Sequence, residues 1–593
     1  MHSSLKWHLL LRGWCSLAFL LLSLLSSPSS FAGDPSIHWR VLSSDHFELI
    51  YDENYKDQAK VFLRAFETAR SLLTPAFSEA PDKTTVLIQD VTDSSNGFAS
   101  FLPYPLIVLY PVLPENAGVL SHYDHWALEL AIHEYTHILS MYPSHGVFRP
   151  LRWIFGNIMR PNAILPRWFL EGVAVEMESR WTTHGRLRNP ATSALIRALI
   201  EDERWGKEDI ARINEVSIPS FPYGNRPYFY GSLLWKELTS TYGLESVEYL
   251  HQRFSRRIPF QINGPVEDLT EKNWKQLLHD LYLDYYKRGN EQLDTIRKAG
   301  DDASDRPDMK LPNTSVQTAM SLSPDFKRMV VSNADPYDGE SLMMYEKSES
   351  KESFREAEHR RLLTVKNPSR VSWLPDSSGF IFDQYGTWKA YYQFQDLYIY
   401  RLSNKKTERL TRGERASQPA VSPNGEKVIY VRNEGAKTQL KILDLTSKET
   451  SLLLERPMFE RISHPEFISN EEAVFVGRDL TGKEILYKIY VLSKETESLL
   501  SEFDGIAQPR WTKKGLLFTS SKTGVRNLYL ADRKLASAVP VSNTTTGVLQ
   551  GDYDMQAKEL WTSRFSGFGP RLYASQKTQI QKPPEITPLV EPA

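Results

Sequence analysis

The chain has 593 residues, with 71 Lys and Arg against 73 Asp and Glu, so its formal net charge is −2. This balance excludes the overall basic excess that is typical of nucleic-acid-binding proteins, and we expect no nucleic-acid partner. The length predicts more than one domain.

The first 32 residues are typical of an export signal. Lys6 and Arg12 provide the positive start, residues 14–25 form an apolar run that is short for a membrane span, and small residues end at Ala32. We expect cleavage after Ala32, with an uncleaved anchor as the alternative. The only cysteine, Cys15, would leave with the signal, which excludes disulfides, cysteine catalysis and cysteine metal ligands in the mature protein.

Residues 37–111 predict a small α/β unit. Apolar spacing predicts strands over 46–51 and 84–88, with a helix over 57–77 between them. Asn96 and Gly97 indicate a turn. The next strand, over 105–111, begins and ends with proline. We therefore expect it either at a sheet edge, where an extended peptide could pair with it, or buried within the sheet.

Residues 133–137 read His-Glu-x-x-His within an apolar stretch that predicts a buried helix. Residues four apart lie on one face of a helix, so His133 and His137 can hold one zinc ion. Glu134 then lies beside the metal, where it can take a proton from the attacking water. The alternative is an ordinary solvated helix, but two histidines and a glutamate are costly to bury without a shared purpose.

A third ligand must come from elsewhere, because catalytic zinc sites use three protein ligands and a water. Trp168, Glu171 and Gly172 read Trp-x-x-Glu-Gly in a second apolar helical stretch. On these residues and the His-Glu-x-x-His motif, the chain resembles the gluzincin metallopeptidases, in which this glutamate is the third ligand. The resemblance implies one Zn²⁺ ion held by His133, His137 and Glu171.

The resemblance also implies two supporting residues. Gluzincins carry a further acid two turns after the ligand glutamate, and Glu178 fits it, where it could orient a ligand histidine from outside the metal's own ligands. The alternative is an exposed helix acid. In aminopeptidase-like gluzincins a tyrosine three residues before a glycine donates to the developing oxyanion, and Tyr228 takes that place before Gly231. Tyr230 is the substitute, and buried core aromatics are the alternative for both.

Two features separate the chain from the aminopeptidase branch. His137 and Glu171 are 34 positions apart, which is longer than in that branch, and no Gly-x-Met-Glu-Asn segment precedes the first zinc helix. An endopeptidase is therefore the expectation. Residues 164–168 add a closer resemblance to the bacterial peptidase MA-like proteins fused to a TolB-like propeller, which implies a protein of the bacterial periplasm or one that is secreted.

Residues 141–168 join the two predicted zinc helices and contain four arginines, at positions 149, 152, 160 and 167, but no acid. The same segment is strongly apolar. A basic amphipathic segment of this kind can lie on an anionic membrane surface, so we expect either peripheral membrane contact or a loop that forms a wall or lid of the cleft.

The remainder of the chain has a different texture. The polar stretch 300–313 predicts a linker after a domain spanning 33–299. Over 314–578, similar turn and strand patterns start near Ser321, Ser372 and Ala420 and recur about every 45 residues, which is the length of a four-stranded blade. We count six blades, and the pattern resembles the TolB-like propeller, whose rim loops could hold a protein partner. The proline-rich tail, 579–593, is expected to be disordered.

The sequence therefore predicts a multidomain protein, with an α+β gluzincin-type metallopeptidase domain followed by an all-β six-bladed propeller. The expected activity is that of an exported zinc metalloendopeptidase, with the propeller recruiting or gating peptide or protein substrates. Two alternatives stay open. One is a non-catalytic periplasmic binding or scaffold protein, and the other is a zinc amidase acting on cell-wall amides.

Overall fold

The computed structural model describes residues 33–77, 79–114, 120–258, 260–300, 312–576 and 580–591. The chain divides into two units, residues 1–39 and residues 40–593. The predicted signal over 1–32 and residues 301–311 of the predicted linker lie outside the described residues. Within the part of the chain that is described, no helix combines the length and the apolar character needed to cross a membrane.

A five-stranded sheet with one long helix precedes the predicted zinc motif. In strand β2, alternate side chains at Phe47, Leu49 and Tyr51 are buried, and they pack with Phe62 and Phe66 of helix α1. The sheet order is β1-β2-β3-β5-β4. The elements are β1 (Trp39–Ser43), β2 (Phe47–Asp52), α1 (Lys56–Leu73), β3 (Thr84–Ile88), β4 (Asn96–Ser100) and β5 (Leu106–Tyr110).

On the side of the sheet away from β1, the edge strand is β4 rather than β5. Strand β5 runs parallel to β3 on one side and antiparallel to β4 on the other, so the proline-bracketed strand lies inside the sheet. Pro105 and Pro111 flank β5 without entering it, and no ladder donor is lost. The predicted turn at Asn96 and Gly97 is wrong, because these residues pair with Tyr110 and Leu109 and begin the edge strand.

A helical region follows the sheet. Two of its helices, α4 and α7, cross where Gly172 meets Gly231, and a Cβ atom on either glycine would overlap the backbone of the other helix. This approach sets the start of α7 beside α4. The helices are α2 (Trp126–Met141), α3 (Phe148–Phe155), α4 (Arg167–Trp181), α5 (Pro190–Glu201), α6 (Ile210–Asn214), α7 (Arg226–Tyr242), α8 (Glu245–Phe254), α9 (Asn263–Thr270) and α10 (Trp274–Lys298).

The prediction of six propeller blades is confirmed. Six antiparallel sheets follow one another, the first five with four strands and the sixth with three among the described residues. The blades are β6 (Val316–Leu322), β7 (Arg328–Asp335), β8 (Gly339–Glu346), β9 (Glu358–Thr364); β10 (Val371–Trp373), β11 (Gly379–Trp388), β12 (Tyr392–Arg401), β13 (Lys406–Arg409); β14 (Ala416–Val421), β15 (Lys427–Asn433), β16 (Thr438–Asp444), β17 (Thr450–Leu454); β18 (Phe459–Phe467), β19 (Glu472–Asp479), β20 (Glu484–Tyr490), β21 (Thr496–Leu499); β22 (Ala507–Thr512), β23 (Gly515–Ser520), β24 (Asn527–Ala531), β25 (Ala538–Pro540); and β26 (Val548–Asp554), β27 (Glu559–Arg564), β28 (Arg571–Ser575).

The last blade closes onto the first. The backbone N–H of Gln317 donates to the carbonyl of Pro570 at 2.9 Å, and the side-chain oxygen of Gln317 accepts from the N–H of Leu572 at 3.1 Å. Met320 of the first blade and Trp561 of the sixth share one apolar cluster. This closure leaves few strand edges free.

Buried polar contacts join the propeller to the helical region and its sheet. Arg415 pairs with Asp93 at 2.7 Å and with Asp90, which lie just after β3. Glu460 accepts a hydrogen bond of 3.1 Å from the backbone N–H of Trp126, the first residue of α2. The propeller is therefore anchored to the helix that carries the His-Glu-x-x-His motif.

The prediction of a disordered tail is wrong for residues 580–591. Leu589 and Val590 are buried in the same apolar core as the helices, and the N–H of Leu589 donates to Ser193 at 2.9 Å. The N–H of Ile586 donates to Thr523 of the fifth blade at 2.8 Å. The proline content favoured disorder, but the few apolar side chains of this segment find a core to bury in.

Candidate metal centre

Helices α2 and α4 bring the three predicted metal ligands together. Nε2 of His133 lies 3.2 Å from Nε2 of His137, and Oε2 of Glu171 lies 3.1 Å from Nε2 of His137 and 3.6 Å from Nε2 of His133. The three ligand atoms lie within 4.8 Å of one another. Two imidazoles and one carboxylate form a donor set that suits zinc, with room for a further ligand.

The electrostatics of the three groups favour a bound cation. Burial alone would raise the pKa of Glu171, but His137 and His133 hold it well below its usual range, so the carboxylate is ionised. Burial lowers the pKa of His133 and Arg186 adds to this effect, but the contacts with Glu171 and Glu178 outweigh both and raise the pKa to about 9. The negative charge around His133 therefore stabilises positive charge at this point.

Glu134 points a buried carboxylate into the cleft beside these ligands. The residue is 3 % exposed, and its Oε2 has no hydrogen-bond partner among the described residues. Burial raises its pKa. An unpaired carboxylate is costly to bury, and such a group without a partner fits a site that takes up a cation and a water. The edge strand passes close by, because a Cβ atom on Gly97 would lie 2.7 Å from Oε1 of Glu134.

Glu178 and Arg186 lie on the far side of the His133 ring. Oε2 of Glu178 is 2.9 Å from Nδ1 of His133, and Nε of Arg186 donates to Oε1 of Glu178 at 2.7 Å. Nη2 of Arg186 is also 2.7 Å from Nδ1 of His133. Nδ1 therefore either donates to Glu178 or accepts from Arg186. A cation on Nε2 selects the first arrangement, because Nδ1 then carries the proton. Burial would raise the pKa of Glu178, but Arg186 and His133 lower it to about 2.

Of the two candidate tyrosines, Tyr228 lines the cleft and Tyr230 does not. The Tyr228 ring is nearly parallel to that of His133, with centroids 6.4 Å apart, and the Arg186 guanidinium lies 5.3 Å from its centre. Burial and the neighbouring Glu171 raise the pKa of Tyr228, so its hydroxyl keeps its proton. Tyr230 is 1 % exposed and packs in the core against Trp205.

The cleft has a volume of about 620 Å³, and its lining residues lie between positions 96 and 228. Strand β4 forms one wall, α2 and α4 carry the proposed ligands and Glu134, and Ala163 and Leu165 contribute from the segment between those helices. No described propeller residue lines the cleft. The propeller instead contacts the first turn of α2, away from the ligands.

The sequence reasoning missed Arg186 and Glu129. Arg186 follows a turn at Gly185 that folds back on α4, where a Cβ atom would lie 2.8 Å from the Cα of Ser179, and the spacing to Glu178 carries no motif. Glu129 lies one helical turn before His133 and is 2 % exposed. Its position four residues before a ligand histidine was a usable signal, because it shares that helix face.

No family model matches the chain. An uncharacterized protein of Treponema pallidum (strain Nichols) is 28% identical over 249 residues, covering 41% of this chain and 22% of its own length. TolB from Acinetobacter baumannii is 12% identical with a TM-score of 0.32, covering 45% of this chain and 65% of TolB. The acylaminoacyl peptidase of Pyrococcus horikoshii is 12% identical with a TM-score of 0.31, covering 45% of this chain and 52% of that one. The chain thus spans less than two thirds of each of these proteins.

Proposed function

We propose that this protein is a zinc-dependent metalloendopeptidase of the gluzincin type, exported to the bacterial periplasm or secreted, and acting on peptide or protein substrates. The observation that carries the proposal is the meeting of His133, His137 and Glu171, whose ligand atoms lie within 4.8 Å of one another. Beside them lies the buried carboxylate of Glu134, with one oxygen unpartnered among the described residues. A structural histidine cluster does not need that fourth group.

The chain's own residues divide the reaction between them. A zinc ion held by the three ligands would lower the pKa of a water molecule and polarise the scissile carbonyl. Glu134 takes a proton from the attacking water and passes it to the leaving amine, and its raised pKa suits a group that must hold this proton between the two steps. Glu178 keeps the proton of His133 on Nδ1 and so frees Nε2 for the metal.

Tyr228 is the proposed donor to the oxyanion. Its hydroxyl stays protonated at neutral pH because burial and Glu171 raise its pKa. A donor held in place before the reaction stabilises negative charge that appears only in the transition state. Arg186, in cation–π contact with the Tyr228 ring, limits the movement of that side chain.

The edge strand supports a peptide as the substrate. Strand β4 pairs with β5 on one side, and its residues Asn96, Gly97, Phe98 and Ala99 line the cleft. An extended peptide can add to such an edge through main-chain hydrogen bonds, whereas a compact cell-wall amide gains nothing from it. No described propeller residue lines the cleft, which favours a propeller that recruits a protein partner over one that gates access to the cleft.

The test is metal content and cleavage by residues 33–593, which retain every described residue. We expect one zinc per chain and cleavage of casein or a peptide library by the wild type. Glu134→Gln should keep zinc and lose cleavage, and Glu171→Ala should lose zinc. Glu176→Gln is the matched control, because Glu176 is a buried acid of α4 that pairs with Arg180 instead.

The other outcomes separate the alternatives. Zinc without cleavage of any peptide would favour the amidase, to be tested on cell-wall fragments. Absence of zinc from the folded wild type would contradict the proposal and favour a scaffold role.

A further inference from the structure

Helix α3, between the two proposed ligand helices, has no buried residue. Trp153 is 90 % exposed, and further large apolar side chains of the same segment are also in water. An exposed apolar helix face is unfavourable in water, so a face of this kind indicates a partner. The exposed apolar side chains of the segment are Val147, Trp153, Ile154, Phe155, Ile158 and Ile164.

Two neighbouring loops extend this surface. His145 bonds to Ser255 through both its backbone and its ring, at 3.1 and 2.6 Å, which holds the loop carrying Ile258 and Phe260 beside the start of the segment. Phe260 is 82 % exposed. On the other side, Asn157 donates to the carbonyl of Pro103 at 2.9 Å, between the exposed side chains of Leu102 and Tyr104. We call the exposed apolar side chains of residues 147–164, together with Leu102, Tyr104, Ile258 and Phe260, the apolar face.

The charge of the apolar face is positive. Residues 141–168 contain no acid, and of their four arginines Arg149 is exposed whereas Arg160 is buried. Arg256, also exposed, lies against Gly146, with a Cβ at Gly146 placed 3.7 Å from the Cβ of Arg256. A second copy of the chain in a two-fold contact would bring two positively charged surfaces together. An anionic surface would neutralise the arginines.

We propose that the apolar face is a docking surface for an anionic lipid bilayer. Exposed Trp, Phe and Ile side chains enter the boundary between headgroups and acyl chains, and the arginines contact the lipid phosphates. Tryptophan prefers this boundary because its ring is apolar and its N–H is polar. The protein lies on the membrane through this face.

The docking surface shares a rim with the cleft. Ala163 and Leu165 line the cleft, while Ile164 between them is 60 % exposed on the apolar face. Phe98 of the edge strand lines the cleft and is 49 % exposed. Docking would therefore place the cleft mouth at the bilayer surface. This inference rests on the proposed function. A peptidase cleft held at the bilayer surface would favour substrates that are membrane-anchored or emerge close to the membrane.

The experiment is vesicle co-sedimentation of residues 33–593. We expect binding to vesicles of phosphatidylglycerol and phosphatidylcholine in equal parts, weaker binding to phosphatidylcholine alone, and loss of binding at high salt. The double variant Trp153→Glu/Phe155→Glu should reduce binding about ten-fold. The matched control is Leu492→Glu, at a propeller residue that is 84 % exposed, which should bind like the wild type.

Two further measurements locate the contact and identify its charge dependence. Residues 33–593 contain no cysteine, so Trp153→Cys carries an environment-sensitive dye at one place only, and its emission should shift to the blue with anionic vesicles, whereas dye on Leu492→Cys should not shift. Arg149→Glu/Arg256→Glu should remove the preference for phosphatidylglycerol.

Four results would overturn the proposal. These are absence of binding to either vesicle, equal loss of binding in Leu492→Glu, an unchanged lipid preference in the arginine variant, and a stable dimer that Trp153→Glu/Phe155→Glu dissociates. Zinc content and cleavage of soluble peptide by the double variant should equal those of the wild type. Failure of docking is thus distinguishable from failure of the proposed peptidase function.

Discussion

A Cβ atom at Gly97 would lie 2.7 Å from Oε1 of Glu134. The edge strand and the proposed general base are therefore in contact through a position that only glycine leaves open. The glycine is extended rather than left-handed, so its role is the close approach and not its backbone freedom.

Gly97→Ala should impair catalysis without releasing metal. The new methyl displaces the end of the Glu134 side chain, which is flexible, so we expect little loss of stability. The displaced base should lower kcat/KM about 100-fold, since small misplacements of a catalytic group have effects of this size. Peptide cleavage and zinc content measure the two effects. Gly224→Ala is the control, because its Cβ would meet no atom closer than 3.8 Å. Full activity of Gly97→Ala would show that this contact is not needed.

Glu178→Gln should weaken metal binding. The substitution removes the negative charge that holds the proton on Nδ1 of His133, and loss of such a partner lowers metal affinity about 10- to 100-fold. Competition with a zinc chelator gives the affinity. Glu176→Gln, on the same helix, should lower stability and leave the affinity unchanged, since Glu176 bonds to Thr239 and Arg180. Equal affinities in both variants would contradict a positioning role for Glu178.

Glu460→Gln should flatten the dependence of stability on pH. Burial raises the pKa of Glu460 from 4.5 to about 7. Because the folded state then binds the proton more tightly than the unfolded chain, the contribution of this group to stability is fully present below pH 4.5 and is lost as the pH rises through about 7. Glutamine does not titrate, so we expect a change on the order of 3 kcal/mol in the wild type over this range to disappear. Urea unfolding at several pH values measures it, with the exposed Glu471→Gln as the control.

Arg415→Ala should strongly destabilise the contact between the propeller and the sheet. It leaves the carboxylates of Asp90 and Asp93 buried without their cation, and breaking such a buried pair costs about 3–5 kcal/mol. The free energy of unfolding measures this loss. Arg412→Ala, at a nearby exposed arginine, should change it by less than about 0.5 kcal/mol. If Asp90→Asn/Asp93→Asn added to Arg415→Ala restored no stability, unpaired charge would not be the cause.

Local spacing accounts for what the sequence predicted of the site. His133 and His137 share a face because four residues make about one helical turn, and this holds wherever the helix lies. Blade number followed from a repeat, because each blade reuses one strand pattern. The prediction of Glu171 as a ligand rested on the resemblance to the gluzincin motif rather than on helical spacing. Its contact with the two histidines depends on how α2 and α4 pack.

Only the tertiary structure decided that β4 is an edge strand, that residues 580–591 are ordered, and that Glu178 and Arg186 contact the His133 ring. Asn96 and Gly97 have the local preferences of a turn, but the ladder with β5 overrides them. Residues 580–591 look disordered in composition and become ordered because a core lies within reach of Leu589 and Val590. Arg186 contacts Glu178 because of a turn that no periodic pattern in the sequence predicts. Sequence determines what a residue can do within one element, whereas contacts between elements depend on packing that no local pattern records.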